Sequence, residues 1–168
     1  MNLLALRNRN AVKVLMFISR IFDSYKLFFL PYFTYITGVN AQERLVIFLN
    51  YFVFEFFVMT FKNLFKTPRP CFGEEGCPKY YDIPSGHSFG GIYFYLLLLN
   101  RNYTEDEIKK NPLLPISKQI FLIILGLQPI FRYLCNVHSI TAIVTGSMIG
   151  YMAFKSKYIL EYTLKNLE

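Results

Sequence analysis

The apolar residues of this chain fall in blocks separated by short polar stretches. The longest block, Arg44 to Lys66, reads RLVIFLNYFVFEFFVMTFKNLFK, with only Glu55 and Lys62 as interior charges. Ser117 to Leu134 and His138 to Phe154 are two further blocks. Each is close to the roughly 20 residues that cross a bilayer as a helix. Leu27 to Thr37 and Phe89 to Leu99 are shorter, and each reads as a tilted span completed by its flanks or as a buried helix. Little polar sequence remains from which to build a water-facing exterior. The pattern predicts an all-α integral membrane helical bundle of five or six helices. Residues 1–168 read as a single domain, with no internal repeat or low-complexity tract.

The first 22 residues follow a different pattern. Arg9, Lys13 and Arg20 share one helical face and Val14, Phe17, Ile18 and Ile21 lie mostly away from it. That is the pattern of a basic amphipathic helix at a membrane surface, and whether it also spans decides between five and six. No small-x-small cleavage site follows its apolar part, which argues against a signal peptide.

Composition agrees with a membrane protein: 54% of the residues are hydrophobic and 17% charged. Trp is absent, so the 13 Tyr must supply most of any aromatic belt. The formal charge of +7 is not accompanied by a nucleic-acid motif, and no nucleic-acid partner is expected. Arg44, Arg101, Lys109, Lys110, Lys118, Lys155, Lys157 and Lys165 fall where alternate spanning puts one side of the membrane. The positive-inside rule makes that side cytoplasmic and places the opposite loops outside.

Those opposite loops carry the chemistry. Lys62 is followed after six residues by Arg69-Pro70, then come Pro84-Ser85-Gly86-His87 and Arg132-x5-His138. Both histidines of the chain are used. Taken singly the pieces are weak. K-x6-R-P alone reads as a juxtamembrane anchor, and P-S-G-H alone as a turn with a capping Ser. Their order, and the convergence of all three at one membrane face, is what carries weight. Lys62 lies on the last turns of a helix that Pro68 and Pro70 end. Ser85 is expected as the N-cap of a helix running through Phe89 to Leu99, Arg132 ends the Ser117 helix, and His138 begins the last one. Such a cluster of cations and helix N–H groups suits a phosphate monoester dianion.

In that order and spacing the chain resembles the type 2 phosphatidic acid phosphatase (PAP2) superfamily, over about Arg44 to Gly150. The resemblance implies a six-helix membrane phosphatase, with His138 as nucleophile and His87 as general acid. It implies phosphate binding by Lys62, Arg69, Ser85, Gly86 and Arg132. It implies no metal or other cofactor, and no metal-ligand cluster is spaced along the chain. The substrate class it implies is a membrane lipid phosphate: lipid A 1-phosphate, the leading choice, phosphatidylglycerophosphate or a prenyl pyrophosphate, with the compact size similar to bacterial enzymes for all three. The implied place is a bacterial inner membrane with the site facing the periplasm or exterior. No obligate protein partner is evident.

Two positions depart from the family's pattern. Phe131 stands where a Ser usually precedes the third-motif arginine. More serious, Ala142 stands where the family has the aspartate that bonds the nucleophilic histidine and fixes its tautomer. Alanine cannot accept that bond, and in a serine-protease triad spoiling the equivalent partner costs on the order of 10⁴ in turnover. The expectation is therefore an impaired enzyme. Three explanations stand, in this order: a deliberate substitution, a natural replacement with another acceptor supplying the bond, or a pseudo-phosphatase that binds lipid phosphate without turnover. Ala142, Gly146 and Gly150 also form a small-xxx-small stripe suited to helix packing.

Cys71 and Cys77 flank the loop between the first two motifs, as a disulfide or as two thiols. Cys135 reads as a packing residue. Glu55, two turns before Lys62, reads as a hydrogen-bonded group inside the bundle. Glu74 and Glu75 read as a solvated turn beside the site. Rival readings are a haloperoxidase sharing the same pocket, against which the spans argue, and a structural or transport bundle with accidental motif matches.

Overall fold

A computed structural model of the chain describes residues 26–71, 73, 77 and 81–165. The amphipathic segment expected over residues 1–22 and the glutamates at 74 and 75 lie outside the described residues. Among the described residues all regular structure is helical. The helices are α1 (Lys26–Thr37), α2 (Ala41–Phe65), α3 (Gly86–Leu99), α4 (Glu105–Lys110), α5 (Leu114–Leu134) and α6 (Ile140–Lys165).

The helix ends follow local chemistry. Asn40 caps α2 by accepting from the Glu43 N–H, and Glu43 returns a bond to the Val39 N–H. At the other end Lys66 takes a left-handed conformation (φ 48°) and its N–H bonds the Lys62 carbonyl. Pro68 and Pro70 follow, so the helix cannot resume. Ser85 caps α3 as expected, accepting from the Ser88 N–H. The short α4 was not anticipated. It is set by a capping box between Thr104 and Glu107 and its charges follow the helix dipole, acidic first and basic last.

α3 is the axis of the bundle. Phe89, Tyr93 and Leu98 on it are fully buried, and Tyr51 of α2 stacks on Phe89 at 5.2 Å while Phe33 of α1 stacks on Phe94 at 4.9 Å. Buried Asn50 on α2 ties three helices together. Its amide donates to the Ala153 carbonyl (2.7 Å) on α6 and lies 3.3 Å from the Tyr93 hydroxyl, and its oxygen accepts from Ser156. Such interhelical bonds are worth about 0.6–2 kcal/mol in a membrane bundle. The small-residue stripe of α6 packs where it was expected to. A Cβ at Gly146 would stand 2.2 Å from the Ser85 carbonyl oxygen, and one at Gly150 would stand 2.5 Å from that of Phe89.

The outward faces are apolar. Phe56 and Leu64 on α2 are each 69% exposed, and Ile123 and Ile130 on α5 and Val144 and Met148 on α6 are exposed with them. A soluble protein does not leave that much contiguous apolar surface in water, so these faces belong in lipid. Among the described residues α2 and α5 are long and apolar enough to span. The His138–Phe154 block does become one long helix, but α6 is not among those that meet the same standard; it carries Thr, Ser and Gly along its length and lysines toward its end. Glu55 meets the Tyr51 hydroxyl at 3.5 Å, a contact within α2 and not one between helices.

Two ends result. At one, Lys157 of α6 bonds Glu43 of α2 (2.6 Å), Arg101 pairs with Glu107, and Lys118 bonds the Arg101 carbonyl. At the other stand the end of α2, the starts of α3 and α6 and the end of α5, which carry all three motifs.

Candidate active site

The second and third motifs meet through backbone. The Ser85 N–H donates to the Ala142 carbonyl (2.9 Å), which docks the start of α3 against the first turn of α6. Two residues past the end of α5, Asn136 takes the left-handed region at φ 57°, and the N–H groups of Val137 and His138 both turn back to the Arg132 carbonyl (3.2 and 3.3 Å). Asn accepts that conformation more readily than most residues. The five intervening residues thus fold into a tight reversal that sets Arg132 beside His138. α6 begins at Ile140, two residues beyond His138, because the Ser139 side chain caps it by accepting from the Ala142 N–H (3.1 Å).

Arg69, from the strap after α2, reaches into this reversal. Its Nη1 donates to the Val137 carbonyl (2.9 Å) and lies 3.1 Å from His138 Nε2. Lys62, Arg69, Arg132, Ser85 and His138 are all buried, while His87, on the first turn of α3, is half-buried. Lys62 Nζ also reaches the Tyr81 carbonyl at 3.4 Å. Every motif residue expected from the sequence is therefore brought to this one end.

One residue of this cluster was not singled out from the sequence. Asp82 accepts from His138 Nδ1 at 2.7 Å, the arrangement that the second of the three explanations for Ala142 requires. Ala142 is fully buried, and its carbonyl accepts from the N–H of Ser85, at the end of the strap that carries Asp82. The strap is itself fixed, with the Asp82 N–H on the Thr67 carbonyl (2.9 Å) and the Ile83 N–H on the Thr67 hydroxyl (3.2 Å). Both Asp82 oxygens also lie 3.3 Å from the Ser139 N–H, at the start of α6, where a helix dipole favours negative charge. A signal existed: Asp82 is the sole acidic residue between Glu75 and Glu105 and sits just before P-S-G-H.

The protonation states follow from burial and these bonds. Burial pushes the His138 imidazole down to about 3; the Asp82 bond opposes this, and the charges of Arg69, Arg132 and Lys62 add to it. For Asp82, burial would raise the carboxyl, but the hydrogen bonds from His138 and Ser139 outweigh it and hold it below the usual range. Near neutral pH the pair is thus a neutral imidazole donating from Nδ1 to an ionised carboxylate. That tautomer leaves the Nε2 lone pair unprotonated. Three buried cations and one buried carboxylate stand at this end among the described residues, an excess of two positive charges facing whatever anion enters.

Cys71 and Cys77 form a disulfide, Cα–Cα 5.7 Å, closing the loop between the first two motifs. Cys135 is buried and outside that bridge, in keeping with a packing role. Alkylation of denatured, unreduced protein should therefore modify one of the 3 cysteines, and reduction should expose the other two. Three modified thiols before reduction would rule the bridge out. Among the described residues no group of three His, Cys, Asp or Glu side chains gathers as metal ligands do.

The PAP2 superfamily model matches residues 44–164. Among solved structures, the chain is similar to the crystal structure of a transmembrane PAP2-type phosphatidylglycerolphosphate phosphatase from Bacillus subtilis. The TM-score is 0.67 and the identity 21%, covering 98% of this chain and 83% of that one. At that identity the likeness is one of fold. No curated protein sequence matches the chain.

Proposed function

The chain belongs to the PAP2 superfamily, and from that premise we propose that it is a membrane lipid phosphate phosphatase acting through a phosphohistidine on His138. The observation that carries this reading is the His138 imidazole, bonded at Nδ1 by Asp82 and set among the buried cations Lys62, Arg69 and Arg132.

The lipid phosphate enters among Lys62, Arg69 and Arg132, and the first N–H groups of α3 at Gly86 and His87 add donors aided by the helix dipole. Arg69, which rests beside Nε2, transfers its donors to the phosphate oxygens and uncovers the nucleophile. The Nε2 lone pair attacks phosphorus while the bond to the lipid oxygen breaks. That oxygen keeps the electron pair and takes a proton from His87. In the second half His87 accepts a proton from water as the water oxygen attacks phosphorus. The P–N bond breaks, its electrons return to Nε2, and inorganic phosphate leaves. The fixed cations stabilise the equatorial oxygens in both transition states.

The substrate is a lipid carrying a terminal phosphate, with phosphatidylglycerophosphate, lipid A 1-phosphate and prenyl pyrophosphate as the candidate head groups. The apolar outer faces let the substrate arrive laterally from the bilayer. The chain sits in a bacterial plasma membrane with the site on the outer face. The basic residues Arg44, Arg101, Lys118 and Lys157 at the opposite end support that orientation, as does a disulfide beside the site.

The competing reading, a lipid-phosphate binder without turnover, draws on Ala142, and the Asp82 bond to His138 supports the phosphatase reading over it. Purified in detergent, the chain is expected to release inorganic phosphate from at least one of the three candidate lipids. Binding of all three with release from none would defeat the phosphatase reading and favour the binder.

A further inference from the structure

We infer that Asp82 is the positioning residue for His138, taking over from a different element the task that an acidic side chain at position 142 would perform. The inference rests on the phosphatase reading for its kinetic consequence, but not for its geometry. Four observations carry it. The contact is short, 2.7 Å, between groups that are both buried (His138 1% exposed, Asp82 2%). It involves Nδ1, whereas Arg69 Nη1 approaches Nε2 more closely (3.1 Å) than Nδ1 (3.4 Å). The carboxylate is held in turn by the Ser139 N–H and by the Thr67 anchorage of its own strap, so its position is imposed from two directions. And position 142, one turn into α6, holds an alanine whose side chain offers no acceptor.

The chemical consequence is specific. A carboxylate on Nδ1 selects the tautomer with the proton there, keeps the Nε2 lone pair in the direction of the phosphate, and offsets the positive charge that the ring acquires once phosphorus bonds Nε2. Asp82 touches neither phosphate nor leaving group in this scheme; it acts through His138. Its removal should therefore appear in kcat, with KM little changed. Ala142 then marks a relocated function instead of a lost one, and the chain as it stands is catalytically competent.

The test combines turnover with a readout that does not need it. Asp82→Asn is expected to lower kcat by roughly 10²–10⁴-fold with KM within about threefold, by analogy with loss of the orienting carboxylate in a triad. In ¹⁵N-histidine NMR of the whole protein in micelles, His138 is expected as the Nδ1–H tautomer, with that population falling in Asp82→Asn. The double variant Asp82→Asn/Ala142→Asp, which restores an acidic side chain from α6, should recover part of kcat. Asp82→Glu should retain more activity than Asp82→Asn. An Asp82→Asn protein that keeps full kcat, or a wild-type His138 carrying its proton on Nε2, would overturn the inference. If Asp82→Asn fails to fold, the wild-type tautomer alone decides. If the wild type releases phosphate from no lipid, the phosphatase reading fails, while the NMR still decides whether Asp82 sets the state of His138.

Discussion

His138→Ala is expected to remove phosphate release altogether, a loss of at least roughly 10⁴-fold, since a covalent route has no substitute for its nucleophile. The residue is buried and its ring meets Asp82 and Arg69, so the variant needs a control for folding. Thermal unfolding and lipid binding by the variant supply it. Lys62, Arg69 and Arg132 remain to hold the phosphate, so binding should survive while turnover does not. Turnover within tenfold of wild type would mean that some other group, or water directly, attacks phosphorus.

His87→Ala should lose roughly 10²–10⁴-fold on a lipid phosphate, the usual worth of a positioned general acid. The size of the loss should depend on the leaving group. A lipid alkoxide is a poor leaving group and needs the proton; an aryl phosphate such as p-nitrophenyl phosphate leaves as a stable anion and does not. The comparison belongs in kcat/KM, which reports the steps up to transfer of phosphorus to His138 and leaves out later hydrolysis of the intermediate. A loss on the aryl ester at least tenfold smaller than on the lipid is expected. Equal losses on both would make His87 a phosphate-holding residue and would leave the acid unassigned.

Much of this architecture could be read in advance because it depends on local properties. A block of apolar residues about a bilayer long is a helix whatever surrounds it, which is why Arg44–Lys66 and Ser117–Leu134 became α2 and α5. Pro68 ended α2 and Ser85 capped α3 by rules that concern a few neighbouring residues. α6 outran its apolar block, continuing from Phe154 to Lys165, because Lys157 finds Glu43 and Glu161 as partners that hydropathy does not register. The capping box that makes α4 is local too, written in the sequence as Thr104-x-x-Glu107.

The candidate site was legible to the same degree and for the same reason. Lys62, Arg69, Ser85, His87, Arg132 and His138 lie in short motifs whose spacing survives in one dimension. Asp82 does not. It meets His138 across 56 positions of sequence, and that contact exists only because Thr67 pins the strap and Ser85 docks on Ala142. Helical periodicity directs attention four residues past His138, where Ala142 stands, and cannot indicate a partner arriving from another element.

The most direct test of the account is to trap the intermediate. The unmodified chain, with Ala142 in place, is mixed with a lipid substrate carrying ³²P in its terminal phosphate and quenched within the first turnovers. The account predicts a protein-bound label that is stable to alkali and labile to acid, as a phosphoramidate is, on the peptide containing His138. It predicts none in His138→Ala. Phosphate release with no such label, or label on another residue, would contradict a phosphohistidine at His138.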